Sequence, residues 1–407
     1  MLATGFSISY RLLQNNPRKL NKHFVAVAAA SNSVGSSFLC YNSNSKKFSS
    51  LIDPSSLRYW GKPQNSTNFD ESSIIREARI ISLSDPYDDA NEALHCGEEL
   101  PAGAKLLEIG TKTNDFDMDA LQKQEPNVIF VSHPQSRQPL AELLELLPTI
   151  EWVHTRSAGI DFVTSSGLSS SNVYLTNARG QFSSTLAEYT MMACSYFAKN
   201  LPRLIAQKKE KSWSKYDVSE LRGSTLGIVG YGDIGRACAK LAIIYGMRVV
   251  ALRRNPQLAF GDPLCDIVLP STTEALNELM LKSDYILVSA PLTDETRGLI
   301  GKDQFQHAKD DAVFINLGRG PVVDECALID ALKSGKLKGA ALDVFTEEPL
   351  PQTSELWDME NVLLSPHNMD QTATFMHEAT EFFVKENIPR FLRGEELLNH
   401  VDKVAGY

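Results

Sequence analysis

The chain has 407 residues, 43% of them hydrophobic and 22% charged, enough to bury a large core and to divide into two or three compact domains, which excludes wholesale disorder. Forty Lys and Arg stand against 50 Asp and Glu, a formal net charge of −10, so a polyanion-binding surface, and with it a nucleic-acid partner, is not expected. The longest purely apolar run near the start, Phe24 to Ala30, falls far short of the roughly 20 residues that span a bilayer, and a soluble protein with no membrane partner is expected.

From Met1 to Leu51 there are six cations, ten serines and no carboxylate; the first acid is Asp53. That bias fits an organellar transit peptide or disordered tail over residues 1–52. Serine abundance and the Val25–Ala30 stretch favour a chloroplast, with the mitochondrion as the alternative because Arg11, Arg18 and Lys19 suit a mitochondrial helix. No secretory pattern precedes a cleavage site, so the Asn65-Ser66-Thr67 sequon is expected to be unmodified. Pro54 to Asp70 is rich in Ser, Asn, Gly and Pro, giving a linker over 53–73 and folded structure from about Ile74.

Short apolar or mixed runs at Arg79–Leu83, Asn127–Ser132 and Trp152–Arg156 predict strands, with a helix over Pro139–Leu147 between two of them. The second half repeats the pattern more clearly. Leu226–Val229 is a strand, Ile234–Tyr245 a helix with Ile234, Cys238, Leu241, Ala242 and Tyr245 on one face, and further strands are predicted at Arg248–Leu252, Tyr285–Ser289, Val313–Asn316, Ala340–Val344 and Val362–Ser365. Continuous rather than alternating hydrophobicity marks strands buried on both faces, hence parallel sheets covered by helices: an α/β fold with two doubly wound units. Six cysteines, Cys40, Cys96, Cys194, Cys238, Cys265 and Cys326, form no C-x-x-C pair, and the eight histidines form no H-E-x-x-H. Reduced core thiols and no metal site are expected.

Gly230-Tyr231-Gly232-Asp233-Ile234-Gly235 is G-x-G-x-x-G directly after a strand and opening a helix, the arrangement that binds a dinucleotide. Gly230 permits the tight turn, Gly232 lets backbone approach a pyrophosphate, and Gly235 allows close helix packing, while the helix N-terminus favours the anion. The second strand, where an acid would meet a ribose 2′-hydroxyl, ends instead in Arg253-Arg254. A cation pair meets a 2′-phosphate, which favours NADP, with NAD as the other possibility.

Beyond this turn come Asn316-Leu317-Gly318-Arg319-Gly320, Ala341-Leu342-Asp343 running on to Glu347-Glu348-Pro349-Leu350, and Leu364-Ser365-Pro366-His367. Each places a polar residue just past a buried strand, the edge where parallel sheets bind ligands. Together with Ser157-Ala158-Gly159-Ile160-Asp161, Leu186-Ala187-Glu188, Pro291-Leu292-Thr293-Asp294-Glu295-Thr296 and Val322–Leu328, these segments resemble the D-isomer-specific 2-hydroxyacid dehydrogenases from about Asn127 to about Arg393, in particular the glyoxylate and hydroxypyruvate reductases.

The resemblance implies two Rossmann- or flavodoxin-like domains, the cofactor domain (181–368) inserted into the substrate domain (74–180 and 369–400), and a homodimer. It implies that Arg319 binds and polarises a small 2-oxo acid, that backbone N–H groups of Ser157, Ala158 and Gly159 hold its carboxylate, and that His367 delivers a proton while hydride arrives at carbon. Glu348 would hydrogen-bond His367 and raise its pKa. Asp343 would lie beside the nicotinamide, with Pro291, Thr296 and Gly318 also on the cofactor side. Met369 and Asp370 depart from the family pattern after the histidine and are expected to narrow or polarise the pocket. The alternatives are a dinucleotide-sensing, corepressor-like interaction protein and a 3-phosphoglycerate dehydrogenase-like enzyme.

Overall fold

The computed structural model describes residues 71–160, 162–259 and 261–403. The transit-peptide segment 1–52, Cys40, the Asn65 sequon and Asp161 lie outside the described residues, as does the linker 53–73 apart from one 3-10 turn at Glu71–Ser73.

The first sheet contains β1 (Ala78–Leu83), β2 (Ala104–Gly110), β3 (Val128–Val131), β4 (Trp152–Thr155) and β5 (Tyr174–Asn177), all parallel in the order β2-β1-β3-β4-β5. The second contains β6 (Thr225–Val229), β7 (Arg248–Arg253), β8 (Ile267–Pro270), β9 (Tyr285–Val288), β10 (Ala312–Asn316), β11 (Leu337–Leu342) and β12 (Val362–Leu364), also parallel, in the order β12-β11-β10-β9-β6-β7-β8. The first order is flavodoxin-like and the second Rossmann-like, each reversing direction at a switch point, β1/β3 and β6/β9.

Helices α1 (Glu92–His95), α2 (Met118–Gln124), α3 (Arg137–Leu146) and α4 (Ser166–Ser170) accompany the first sheet. The chain then crosses through α5 (Ser183–Ala198) and α6 (Leu201–Glu210) to the second, which carries α7 (Asp233–Ile244), α8 (Thr273–Lys282), α9 (Lys302–His307) and α10 (Glu325–Lys333). The last helices, α11 (Phe375–Phe382) and, after a π-helical turn at Phe383–Asn387, α12 (Ile388–Leu392), return to the first sheet. There Phe383, Val384, Ile388 and Phe391 share a core with Ile80, Phe130 and Trp152; each such fully buried side chain is worth about 1.5–3 kcal/mol. The second sheet is therefore an insertion in the first unit.

Three strands have no counterpart in the sequence reading: β2, β5 and β8. All lie at sheet edges, where apolar runs are interrupted, as by the exposed Lys105 and partly buried Glu108 of β2 and by the buried but polar Thr176 and Asn177 of β5. Strand β11 begins three residues before the expected Ala340 because Lys338 and Gly339 break the apolar run, and Lys338 is bulged out of the ladder, which pairs Leu337 with Ala312 and Gly339 with Val313. Gly339 is required there, since a Cβ would stand 2.3 Å from Phe197 Cε1 and 2.5 Å from Asn361 O. The buried face of α7 is Gly235, Ala237, Cys238, Ala239 and Ala242, while Tyr245 is exposed. The small residues, not the large ones, face inward because α5 packs close against α7. Of the five described thiols, only Cys194 and Cys238 are core; Cys96 and Cys326 are exposed.

No described helix is long and apolar enough to cross a membrane, and no cluster of three or more His, Cys, Asp or Glu among the described residues is arranged to hold a metal ion.

Candidate active site

The glycine turn follows β6 at the switch point of the second sheet. Gly230 has φ 101°, which L-residues with a side chain rarely adopt, and a Cβ there would stand 2.6 Å from Ala290 N. Its N–H donates to Leu252 O and its carbonyl accepts from Ser289 Oγ at 2.8 Å, so both neighbouring strands pin the turn. A Cβ on Gly235 would meet Gly230 O at 2.5 Å, whereas one on Gly232 would meet nothing within 4 Å. This fits a dinucleotide: Gly232 caps a helix of twelve residues, and the space a side chain would fill is open to an anion facing the N–H groups of the first turn. Ile234 is only partly buried in that turn.

Tyr231 offers no side chain to a ligand. It is 1% exposed, its hydroxyl lies 3.3 Å from Asp262 Oδ2, and its N–H is taken by Leu252 O. Asp233 opens the helix and accepts from Ser183 Oγ at the start of α5. Arg253 ends β7, and the exposed Arg254 reaches Glu295 at a loose 3.8 Å. The Pro291–Thr296 segment, which carries Glu295, is a self-capped turn in which Thr296 Oγ1 donates to Pro291 O at 2.7 Å.

Past β10, Asn316 shapes the arginine loop: its Oδ1 accepts from Gly318 N at 3.1 Å and its Nδ2 donates to Arg319 O. Gly318 sits against Ala290, where a Cβ would be 2.6 Å from the carbonyl, and Arg319 Nη1 donates to Gly318 O at 2.9 Å. Past β11, Glu348 is fixed at both oxygens, Oε1 accepting from Phe345 N at 2.9 Å and Oε2 from His367 Nδ1 at 2.8 Å. The Glu348 hydrogen bond raises the His367 pKa above its ordinary value; burial and the Arg319 charge oppose this, and the charges of Glu348 and Asp343 support it. Burial alone would raise the Glu348 pKa, but the bonds from His367 and Phe345 and the two nearby cations outweigh it, and the net shift is downward. His367 stands at φ 51° in the left-handed region. With Nδ1 committed to Glu348, proton exchange with a substrate falls to Nε2.

The structure thus joins Arg319, Glu348, His367 and Asp343 in one electrostatic cluster. The Ser157–Gly159 turn stands at the C-terminal edge of the first sheet, past β4. Its carbonyls are occupied: Ser157 O accepts from Ala178 N and Thr155 Oγ1, Ala158 O from Asn177 Nδ2 at 2.7 Å, and Gly159 O from Ser157 Oγ at 2.8 Å. Among the described residues, no backbone carbonyl takes the N–H of Ser157, Ala158 or Gly159.

Two features were not visible in the sequence. Asn177 and Asn316, which hold the two loops, look like ordinary strand-end polar residues. Asp370 lines a cavity of about 250 Å³ with Gln181, Ser184, Thr185, Glu188 and Glu378. The Met369 carbonyl accepts from Thr185 Oγ1 at 3.1 Å, tying this loop to α5.

Residues 191–368 match the D-isomer specific 2-hydroxyacid dehydrogenase, NAD binding domain. A glyoxylate reductase of Korarchaeum cryptofilum is 34% identical over 264 residues, 63% of this chain and 77% of that protein. A D-3-phosphoglycerate dehydrogenase of Methanocaldococcus jannaschii is 32% identical over 327 residues, 79% of this chain but only 59% of the relative's length. The crystal structure of an NADPH-dependent glyoxylate/hydroxypyruvate reductase of Sinorhizobium meliloti, in complex with NADP and sulfate, superposes with a TM-score of 0.66 at 26% identity, over 81% of this chain and 100% of that one. The chain belongs to the D-isomer-specific 2-hydroxyacid dehydrogenase family and is an oxidoreductase acting on a CH–OH group with a nicotinamide dinucleotide.

Proposed function

We propose that this chain reduces small 2-oxo acids of the glyoxylate and hydroxypyruvate type to D-2-hydroxy acids, preferring NADPH. The observation that carries this reading is the His367 Nδ1–Glu348 Oε2 bond of 2.8 Å beside Arg319: an imidazole whose charged form is favoured by a carboxylate, next to a guanidinium, is an acid paired with a carbonyl-polarising donor. When bound on the glycine turn, the dinucleotide supplies hydride. Arg319 draws charge onto the carbonyl oxygen, His367 Nε2 gives that oxygen its proton, and Glu348 stabilises the imidazolium beforehand. The N–H groups of Ser157, Ala158 and Gly159 hold the carboxylate and so orient the carbonyl. Asp343 would lie beside the nicotinamide of a bound dinucleotide, where a carboxylate can accept from a primary amide.

NADPH preference rests on Arg253 and Arg254 at the end of β7, the position where a 2′-phosphate is met. The Arg254–Glu295 pair is long and exposed, so a phosphate can displace it at small cost. The relative with D-3-phosphoglycerate dehydrogenase activity in its name keeps a phosphorylated 2-oxo acid open as a second reading. The substrate domain in this reading is 74–180 with 369–400, and the cofactor domain 181–368. The protein assembles as a homodimer through α6, which has no buried residue and presents Leu204 and Ile205 near the fully exposed Trp213. Residues 1–52 address it to the chloroplast, with the mitochondrion as the alternative.

Initial rates with NADPH and NADH against glyoxylate, hydroxypyruvate and 3-phosphohydroxypyruvate test the assignment. The first two are expected to react with NADPH. Turnover of the phosphorylated acid alone would transfer the assignment to the second reading, and turnover of none would remove both.

A further inference from the structure

Among the described residues, Asp343 is the only acidic residue buried as a whole, at 3% exposure, and the residues that hold it are not those of the proton-transfer pair. Its Oδ1 accepts from Ser365 Oγ at 2.7 Å and from Asn368 N at 3.1 Å. Ser365, itself buried, lies 3.3 Å from the hydroxyl of Tyr189 in the middle of α5. A serine hydroxyl has one proton, and the short contact to a carboxylate is its stronger bond. The Tyr189 oxygen accepts from the same hydroxyl at the longer distance, so Ser365 bridges the phenol and the carboxylate, and burial pushes the phenol up to about 12.

We propose that Tyr189 and Ser365 are positioning residues that orient the Asp343 carboxylate and, through the Asn368 N–H on the same oxygen, tie helix α5 to the loop carrying His367. Ser365 then bridges Tyr189 and Asp343, with Asn368 closing on the carboxylate from the other side. Asn368 follows the histidine directly, so the carboxylate that faces the cofactor also braces the left-handed backbone at His367. Helix α5 packs along α7, which opens with the glycine turn, so one helix bears on both the pyrophosphate turn and the nicotinamide end. The charged and polar groups around Asp343 are Ser365, the N–H groups of Asn368 and Met369, and His367. Burial raises its pKa, and all four oppose that rise.

The proposal rests on the reading that Asp343 lies beside the nicotinamide, and the test separates the two. NADPH binding is measured by nicotinamide fluorescence from pH 5 to 9, with urea unfolding alongside, for Ser365→Ala, Ser365→Thr, Tyr189→Phe and Asp343→Asn. Losing one hydrogen bond to the carboxylate in Ser365→Ala should weaken NADPH about tenfold and move the acidic limb of binding to higher pH, because the carboxyl loses a donor that favours its charged form. Ser365→Thr, which keeps the hydroxyl, should restore both. Tyr189→Phe, which removes the second oxygen held by Ser365, should change both by about two- to threefold, the scale of a neutral hydrogen bond once removed. Ser365→Ala that binds NADPH like wild type at every pH, while Asp343→Asn does not, overturns the positioning role alone. Asp343→Asn that binds like wild type overturns the placement of Asp343 and the positioning role together. If Ser365→Ala does not fold, Tyr189→Phe decides: unchanged binding and an unchanged limb overturn the proposal.

Discussion

His367 and Glu348 divide one task, and their separate replacement should reveal the division. Replacing His367 with Asn should lower turnover by roughly 100- to 10,000-fold, the usual loss for a positioned acid or base, while NADPH still binds. Because the Glu348 hydrogen bond is the largest influence raising the His367 pKa, Glu348→Gln should lower that pKa. The sign follows directly. Reduction needs the imidazolium, so its rate falls as pH rises through the His367 pKa, and in Glu348→Gln that fall must begin at lower pH than in wild type. Oxidation of the hydroxy acid needs the neutral ring, and its rise with pH should move the same way. A pH–rate profile in both directions checks this, and an alkaline limb that stays in place would show that some other group holds the proton. The residue scale is also where the sequence was least readable. Arg319, Glu348 and His367 stand past strand ends in recognisable motifs, but Ser365 and Tyr189 act through contacts 22 and 176 residues away in the chain, and no local pattern marks them.

At the scale of elements, strand, turn and helix around the dinucleotide site could be read from Leu226 to Gly235 because both hydrophobic periodicity and glycine spacing are local. Edge strands β2 and β8 could not, since half-solvated strands lose the continuous apolar signal, nor could β5, whose buried Thr176 and Asn177 are polar. The glycines offer a separation the sequence cannot provide. Gly232→Ala should leave the fold and its unfolding midpoint unchanged, as nothing lies within 4 Å of the added Cβ, yet weaken both NADH and NADPH by intruding on the anion site. Gly235→Ala should instead destabilise the protein by about 1–3 kcal/mol, since its Cβ presses on Gly230 O. Urea unfolding paired with cofactor titration distinguishes the two, and loss of stability in the first variant would contradict the open cradle. At the end of β7, replacing Arg253 and Arg254 with Ala removes charge-assisted bonds worth roughly 1.5–3 kcal/mol each at best. Solvent exposure reduces this to about a 10- to 100-fold loss of NADPH affinity, at about 1.4 kcal/mol per tenfold. NADH should bind almost unchanged, and the NADPH preference should weaken as salt rises. Equal affinity of the wild type for the two cofactors would reduce the arginines to surface charge.

The whole molecule carries a titratable group whose effect belongs to folding and not to catalysis. His154 lies in β4 of the first sheet, fully buried among Phe130, Trp152 and Phe383, with the Phe383 ring centroid 4.9 Å away. Its Nδ1 is 2.7 Å from Thr176 Oγ1, which also accepts from Trp152 Nε1, and its Nε2 has no hydrogen-bond partner. Burial holds its pKa down to about 3, so the folded protein keeps the ring neutral where the unfolded chain, with an ordinary histidine near 6.5, takes up a proton. The unfolded state therefore binds more protons below pH 6.5, and stability falls with falling pH from there down to about 3, by up to about 1.4 kcal/mol per pH unit. Between pH 7 and pH 5 this amounts to about 2 kcal/mol. The aromatic cluster joins β3 and β4 to the returning C-terminal helices, so the loss should loosen the contact that closes the chain on its first sheet. Other groups titrate in the same range, and a comparison with His154→Leu isolates the one of interest: Leu replaces a ring with an unsatisfied nitrogen by an apolar side chain, and Trp152 Nε1 still donates to Thr176. Urea unfolding followed by tryptophan fluorescence at pH 7 and pH 5 should show wild type losing about 2 kcal/mol more than the variant over that interval. Equal losses in the two proteins would mean that the buried ring is not what makes the fold sensitive to acid.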